Sequence, residues 1–337
     1  TNISENYTIN MAWHNVSNAD ANSYILETIA STKGLNTIAP TWFSLADTEG
    51  NITSLADADY VNYAHQSNLE VWAVLRDFHG GINSYEETYQ VLSYTSKRAK
   101  LINQVISKAL ETDVDGINLD FELVSDECGP HYVQFVRELS VKCRQNGLVF
   151  SVDNYVPQPY NAHYDIEEQA AVADYVVVMG YDEHTEGSYE AGSVASIGYL
   201  KNGISEALKS VPADKLIAGV PFYTRLWFER PKTDEEFAAD EGTEAENYPN
   251  KVKSSAYGMD DAAELISSMG AQTEWDDKTK QNYAQWEGGV YKIWLEDTQS
   301  LEEKLKVIKE NQLAGVAEWS LGMEGSGVWD LILQYVN

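Results

Sequence analysis

Eight short apolar runs, most of them followed by a stretch with helical periodicity, constrain this chain more than any other feature. The runs are Tyr7 to Trp13, Leu35 to Phe43, Leu69 to Leu75, Val114 to Leu123, Leu148 to Tyr155, Ala173 to Tyr181, Lys215 to Phe222 and Ala314 to Trp319. Helical patterns cover Ala19 to Ala30, Leu55 to Ser67, Ser96 to Leu110, Gly129 to Gln145 and Ile166 to Ala171, part of Val194 to Ser210, Ser300 to Asn311 and Val328 to Val336. Gly147 sits where a glycine past a helix end stops the helix before the fifth run. The sixth run is almost wholly apolar, as a strand covered on both faces must be. Repeated strand–helix units of this kind predict an α/β fold, the (β/α)8 barrel. A doubly wound sheet is the main rival, but no glycine-rich nucleotide loop follows the first run.

One interval does not fit the repeat. The stretch between the seventh run and Ser300 is too long for a plain loop. It holds an acidic loop (Asp234 to Glu246), a helix near Asp260 to Met269, and two strands, Thr273 to Trp275 and Gln281 to Trp286. We read residues 226–289 as a small α+β insertion between strands seven and eight, at the top of a barrel made of 1–225 and 290–337.

Composition narrows the function classes. The 337 residues carry 53 acids against 23 bases, a formal net charge of −30, which repels nucleic acid and anionic membrane. No run approaches membrane-spanning length, so no membrane insertion is expected. Nine Trp and 21 Tyr suit core filling and sugar stacking alike. The two cysteines, Cys128 and Cys143, flank a helix about 18 Å long and are expected to be free thiols. The start at Thr1 without Met fits removal of a leader or an upstream domain. Triplets at Asn2, Asn6, Asn15 and Asn51 match the glycosylation pattern, which arises often by chance and means nothing in a bacterial host.

The fourth run carries the chemistry. Along a strand, Ile117, Leu119, Phe121 and Leu123 fall on one face and Asn118, Asp120 and Glu122 on the other. The polar rungs are about 6–7 Å apart. Two carboxyls this close can push one pKa up and serve acid/base catalysis. The same pattern also describes a half-exposed antiparallel strand or an acid-rich cation site. In a barrel the apolar face matches the helix layer, so the acids point inward and Glu122 stands at the mouth, where barrel enzymes do their chemistry. Met179, Tyr181 and Asp182 end strand six; Tyr223 and Arg225 follow strand seven; Trp319 ends strand eight and Trp42 ends strand two. A carboxyl pair, a phenol, another acid and several aromatics thus arrive at one mouth.

At these residues the chain resembles glycoside hydrolase family 18, the chitinase family. Asp115-Gly116-Ile117-Asn118-Leu119-Asp120-Phe121-Glu122 resembles its DGxxxDxE signature, Met179-Gly180-Tyr181-Asp182 its strand-six motif, and Trp319 its strand-eight tryptophan. Tyr181-Asp182-Glu183-His184, Tyr283 and Tyr291 to Asp297 are similar to the bacterial spore-cortex-lytic and spore-germination branch. The resemblance implies a retaining hydrolase of β-1,4-linked N-acetylglucosamine polymers, either peptidoglycan and spore cortex or chitin. It implies Glu122 as general acid, Asp120 and Tyr181 as partners of the substrate's own 2-acetamido group, and Trp319 as an apolar floor. Asp182, Met179, Tyr223, Arg225, Trp42 and Asn118 are then candidate substrate contacts, and Asp115 and Gly116 structural positions. No cofactor and no metal are implied. The resemblance further implies a monomer, extracellular or associated with a bacterial wall or spore. Many relatives have Asp where this chain has Asn118, which cannot take up a proton from Asp120. The alternative class is a non-catalytic carbohydrate-binding barrel; a metal-dependent barrel hydrolase is a third.

Overall fold

The computed structural model describes residues 5–336; the Asn2 triplet lies outside them. Eight parallel strands close on themselves: Ile9–His14, Thr37–Pro40, Glu70–Arg76, Gly116–Asp120, Val149–Tyr155, Tyr175–Met179, Leu216–Pro221 and Gly315–Trp319. Each pairs with the next, and strand eight pairs with strand one (Ala12 opposite Glu318). The expected (β/α)8 barrel is the fold.

Two apolar layers hold it. Ile117, Leu119 and Phe121 of strand four and its exit pack outward with Val152, Val176 and Val178 against the helices, around Phe135, Leu139 and Leu101. Inside the barrel, Ile9, Met11, Trp72, Val74, Val149 and Tyr175 fill the lower levels. The upper interior is polar, with Asn118, Asp120, Ser151 and Asp153 buried there. Period-2 alternation in strands four and five produces this division. At the barrel floor, Asp115 accepts from His65 Nε2 and from the Val71 amide, both at 2.8 Å. Gly116 beside it has no room for a side chain: a Cβ there would lie 2.7 Å from the Val149 carbonyl oxygen.

Several boundaries differ from expectation. The second apolar run is two strands, Thr37–Pro40 and Phe43–Leu45, the latter forming a hairpin with Ile52–Ser54. A helix at Tyr85–Leu92, capped by Ser84, precedes the long helix Thr95–Thr112. The acidic loop contains a helix, Asp234–Asp240, because Thr233 and Glu236 cap it reciprocally. A five-stranded antiparallel sheet follows strand seven, in the order Asn250–Gly258, Tyr223–Pro231, Tyr291–Leu295, Gln281–Trp286 and Glu274–Asp276. The helix Met259–Ser268 packs Ala262 and Ile266 against Ala284 and Ile293 of that sheet. Both cysteines are buried and unpaired. Among the described residues no helix is long and apolar enough to cross a membrane.

Candidate active site

A cavity of about 340 Å³ opens at the C-terminal mouth of the barrel. Strand four supplies Asp120, its last residue, and Glu122 stands two residues beyond in the exit loop. Strand five supplies Asp153 and Tyr155, strand six Met179 with Tyr181 and Asp182 just beyond, and strand eight Trp319. The first strand of the antiparallel sheet adds Tyr223 and Arg225, and its neighbour adds Ala256.

The exit loop is tied down by Asp77, at the end of strand three. Its Oδ1 accepts the Glu122 amide at 2.9 Å, and its Oδ2 accepts the Leu123 amide at 2.8 Å and the Thr88 hydroxyl at 3.1 Å. This fixes the backbone that carries Glu122. The Tyr155 hydroxyl donates to Glu122, to its carbonyl at 3.1 Å and its Oε1 at 3.3 Å.

Burial raises the Glu122 carboxyl, and the Asp182 charge adds to the rise. A hydrogen bond from Asp120, the one from Tyr155, and the Arg76 guanidinium work the other way. Asp120 is held well above its ordinary value, first by burial and then by the charges of Glu122 and Asp153. The two carboxyls therefore titrate as a unit, and one of them keeps a proton beyond the usual carboxylate range.

Aromatic rings line the rest. Trp13 meets Trp319 with ring centres 6.0 Å apart and Tyr181 edge-on at 6.4 Å. Tyr181 in turn meets Tyr223 at 6.2 Å. The Tyr223 hydroxyl donates to Asp182. Burial lifts the Asp182 carboxyl against that bond and against Arg225. Arg225 also donates to Ser254 at 3.0 Å. The arrangement offers an acid raised by burial, a second carboxyl beside it, phenol donors, and an indole floor. That is a set suited to polarising a glycosidic oxygen and steadying positive charge in a flat sugar ring.

The sequence model for glycosyl hydrolases family 18 matches residues 11–324. The chain belongs to that family. Among similar proteins, the uncharacterized glycosylase YvbX of Bacillus subtilis is 26% identical over 309 residues, covering 88% of this chain and 84% of its own. The cortical fragment-lytic enzyme of Bacillus anthracis is 24% identical over 287 residues, 82% of this chain but only 62% of that protein. Among solved structures, the spore cortex-lytic enzyme SleL of Bacillus cereus superposes with a TM-score of 0.81 at 21% identity, over 98% of this chain and 74% of that one. A chitinase from Chromobacterium violaceum gives 0.79 at 22%, over 97% and 98%.

Of the family 18 candidates, Glu122, Asp120, Tyr181, Asp182, Met179, Tyr223, Arg225 and Trp319 line one cavity. Asn118 lies beneath it, fully buried, and reaches the cavity through Asp153 and Trp13. Trp42 is a correction: it is buried away from the cavity, donating to Asn22 Oδ1 at 2.9 Å and packing on Tyr60. Strand two ends at Pro40, before Trp42, and the chain then turns the indole toward the helix layer.

Trp13, Arg76, Asp77, Asp153 and Tyr155 were not among the expected residues. Strand five shows the signal that points to two of them, since Ser151, Asp153 and Tyr155 alternate with Val152 as strand four does. Trp13, Arg76 and Asp77 stand at strand ends, where a barrel places its chemistry.

Proposed function

We propose that this family 18 glycosidase is a retaining hydrolase of β-1,4 bonds in N-acetylglucosamine-containing polymers. The observation that carries it is the Asp120–Glu122 pair facing Tyr181 and Trp319 across one cavity. Glu122, its carboxyl raised by burial, donates a proton to the glycosidic oxygen and later activates water. The substrate's 2-acetamido oxygen attacks the anomeric carbon in place of a protein nucleophile. Asp120 accepts from the acetamide N–H and steadies the positive oxazolinium ion, while the Tyr181 hydroxyl holds the acetamido oxygen. Trp319 carries the apolar face of the reacting sugar. Asp182, Tyr223 and Arg225 contact its hydroxyls, and Met179 packs beside it. The sheet that follows strand seven, read as an insertion, is the second wall of the cleft.

We favour peptidoglycan or spore cortex over chitin as the polymer, with action as a monomer outside the cell or at the wall or spore. The names of the cortical fragment-lytic relatives in Bacillus support the choice of polymer and the spore location. The test has two arms. Glu122→Gln should abolish release from a chromogenic chitobioside and leave oligosaccharide binding within about twofold; full turnover in that variant removes the assigned acid. Sugars lacking the N-acetyl group should not turn over, and their rapid cleavage contradicts substrate assistance. Product analysis after digestion of purified spore cortex and purified chitin decides the polymer.

A further inference from the structure

Asn118 cannot accept a proton, yet the buried wall of the cavity holds another acid, Asp153, beside Asp120. Asp153 enters from strand five, one residue past the last registered pair, Leu119 with Val152, so it stands beside Asp120 at the same level. Trp13 Nε1 donates to Asn118 Oδ1 at 3.2 Å, which fixes the amide. Asn118 Nδ2 then donates to Ser151 Oγ and to Asp153 Oδ1, both at 2.8 Å. Asn118 thus works as a clamp that orients Asp153.

Two oxygens are left over. Asp120 Oδ1 and Asp153 Oδ2 are both buried and neither accepts a hydrogen bond of ordinary geometry, although the Trp13 indole N–H stands near enough to Asp153 to pull its carboxyl down. A buried acceptor without a donor is costly, and two carboxyls side by side escape that cost by holding a proton between them. The groups facing Asp153 are Asp120 and Glu122 from strand four and its exit, the hydroxyls of Tyr181 and Tyr132, and the N–H groups of Asn118 and Trp13. On the other side of Asp120 stand Asp77 and the Arg76 guanidinium of strand three, so the cation lies beside Asp120 and none lies against Asp153. Burial lifts Asp153 well above the ordinary range, and its charge in turn lifts Asp120.

We propose that Asp153 is the proton partner of Asp120, acting from strand five through a hydrogen bond between the two unsatisfied oxygens. This rests on the substrate-assisted role given to Asp120 above. As positive charge grows on the sugar, the O–H bond on Asp120 breaks and one forms on Asp153. Asp120 is then a carboxylate beside the cation and Asp153 a neutral acid. When water opens the oxazolinium ion the proton returns. No oxidant, reductant or co-reactant enters. Asp153 touches no reacting atom, so it is a positioning residue.

Asp153→Asn keeps the shape and the oxygen that accepts from Asn118 but cannot take a proton. It should lower kcat about tenfold or more, with KM within about twofold and an altered pH profile of kcat. Circular dichroism melting should stay within a few degrees of the parent. The double variant Asn118→Asp with Asp153→Asn returns a titratable group next to Asp120 and should recover most of the loss. Parent-like kcat and pH profile in Asp153→Asn overturn the proposal. So does a loss that is equal at every pH and is not recovered by the double variant, which marks a packing role. Glu122→Gln run alongside separates the levels: if that variant is dead while Asp153→Asn is unaffected, only the proton partner is lost. If Glu122→Gln turns over normally, the underlying mechanism falls with it.

Discussion

Replacing Asp77 by Asn probes the device that holds the catalytic loop. Asp77 is fully buried and uses both oxygens: one for the Glu122 amide, the other for the Leu123 amide and the Thr88 hydroxyl. Asn has the same volume but one acceptor. Whichever way its amide is turned, one backbone N–H meets an NH2 group and loses its partner. A buried donor left unmade costs about 1–3 kcal/mol. With an unfolding entropy of about 2.1 cal/mol/K per residue over 337 residues, the melting temperature should fall by about 1–4 °C. The displaced loop carries Glu122, and a misplacement of about 1 Å costs about a hundredfold in rate. We expect kcat on a chromogenic chitobioside to drop between about ten- and a hundredfold with a smaller change in KM, because Trp319 and Tyr223 are untouched. The same residue sets a pH dependence. Burial lifts Asp77 from 3.8 to about 7, so the folded state holds its proton more tightly than the unfolded chain does. Its contribution is complete below about pH 4 and is lost as pH rises through about 7. The urea midpoint should therefore decline more steeply between pH 5 and pH 8 in the parent than in Asp77→Asn. A variant that melts with the parent and keeps its kcat refutes the tethering role.

Trp42→Phe should cost about 1–3 kcal/mol by leaving Asn22 Oδ1 without its donor, with kcat and KM unchanged; an activity loss without a stability loss contradicts its placement in the helix layer. Asp182→Asn removes a charge that helps hold Glu122 up. Glu122 must be protonated to act, so the alkaline limb of kcat/KM should move to lower pH, and a limb that stays put disproves the coupling. Gly116→Ala forces a methyl group against the Val149 carbonyl and should destabilise the fold by about 1–3 kcal/mol, as read by thermal melting.

The barrel was legible because most of its strands carry apolar residues toward the helices, and Leu119 and Phe121 announced which way Asp120 and Glu122 would turn. Strand five was less legible. Its acid follows Val149, Phe150 and Val152, which read as ordinary core, so the alternation of Ser151, Asp153 and Tyr155 is easily passed over until the clamp by Asn118 is seen. The antiparallel sheet was harder still. Asn250–Gly258 has no buried residue, with Lys251, Lys253 and Ser255 exposed along it, so no apolar stripe marks it as a strand; its pairing with Tyr223–Pro231 does. Trp42 was misplaced for a local reason: a strand that stops at Pro40 no longer dictates the direction of a side chain two residues later.

The polar upper interior has a further consequence for how this protein tolerates change. With Asn118, Asp120, Ser151 and Asp153 occupying the space where other barrels stack aliphatic layers, cohesion there has to come from the shell between strands and helices. Trimming Leu119 or Phe121 should weaken the molecule and spare its chemistry, while equally conservative swaps one position along the same strand should do the reverse. Robustness and activity are thus interleaved residue by residue, and mutational drift has separate channels for each.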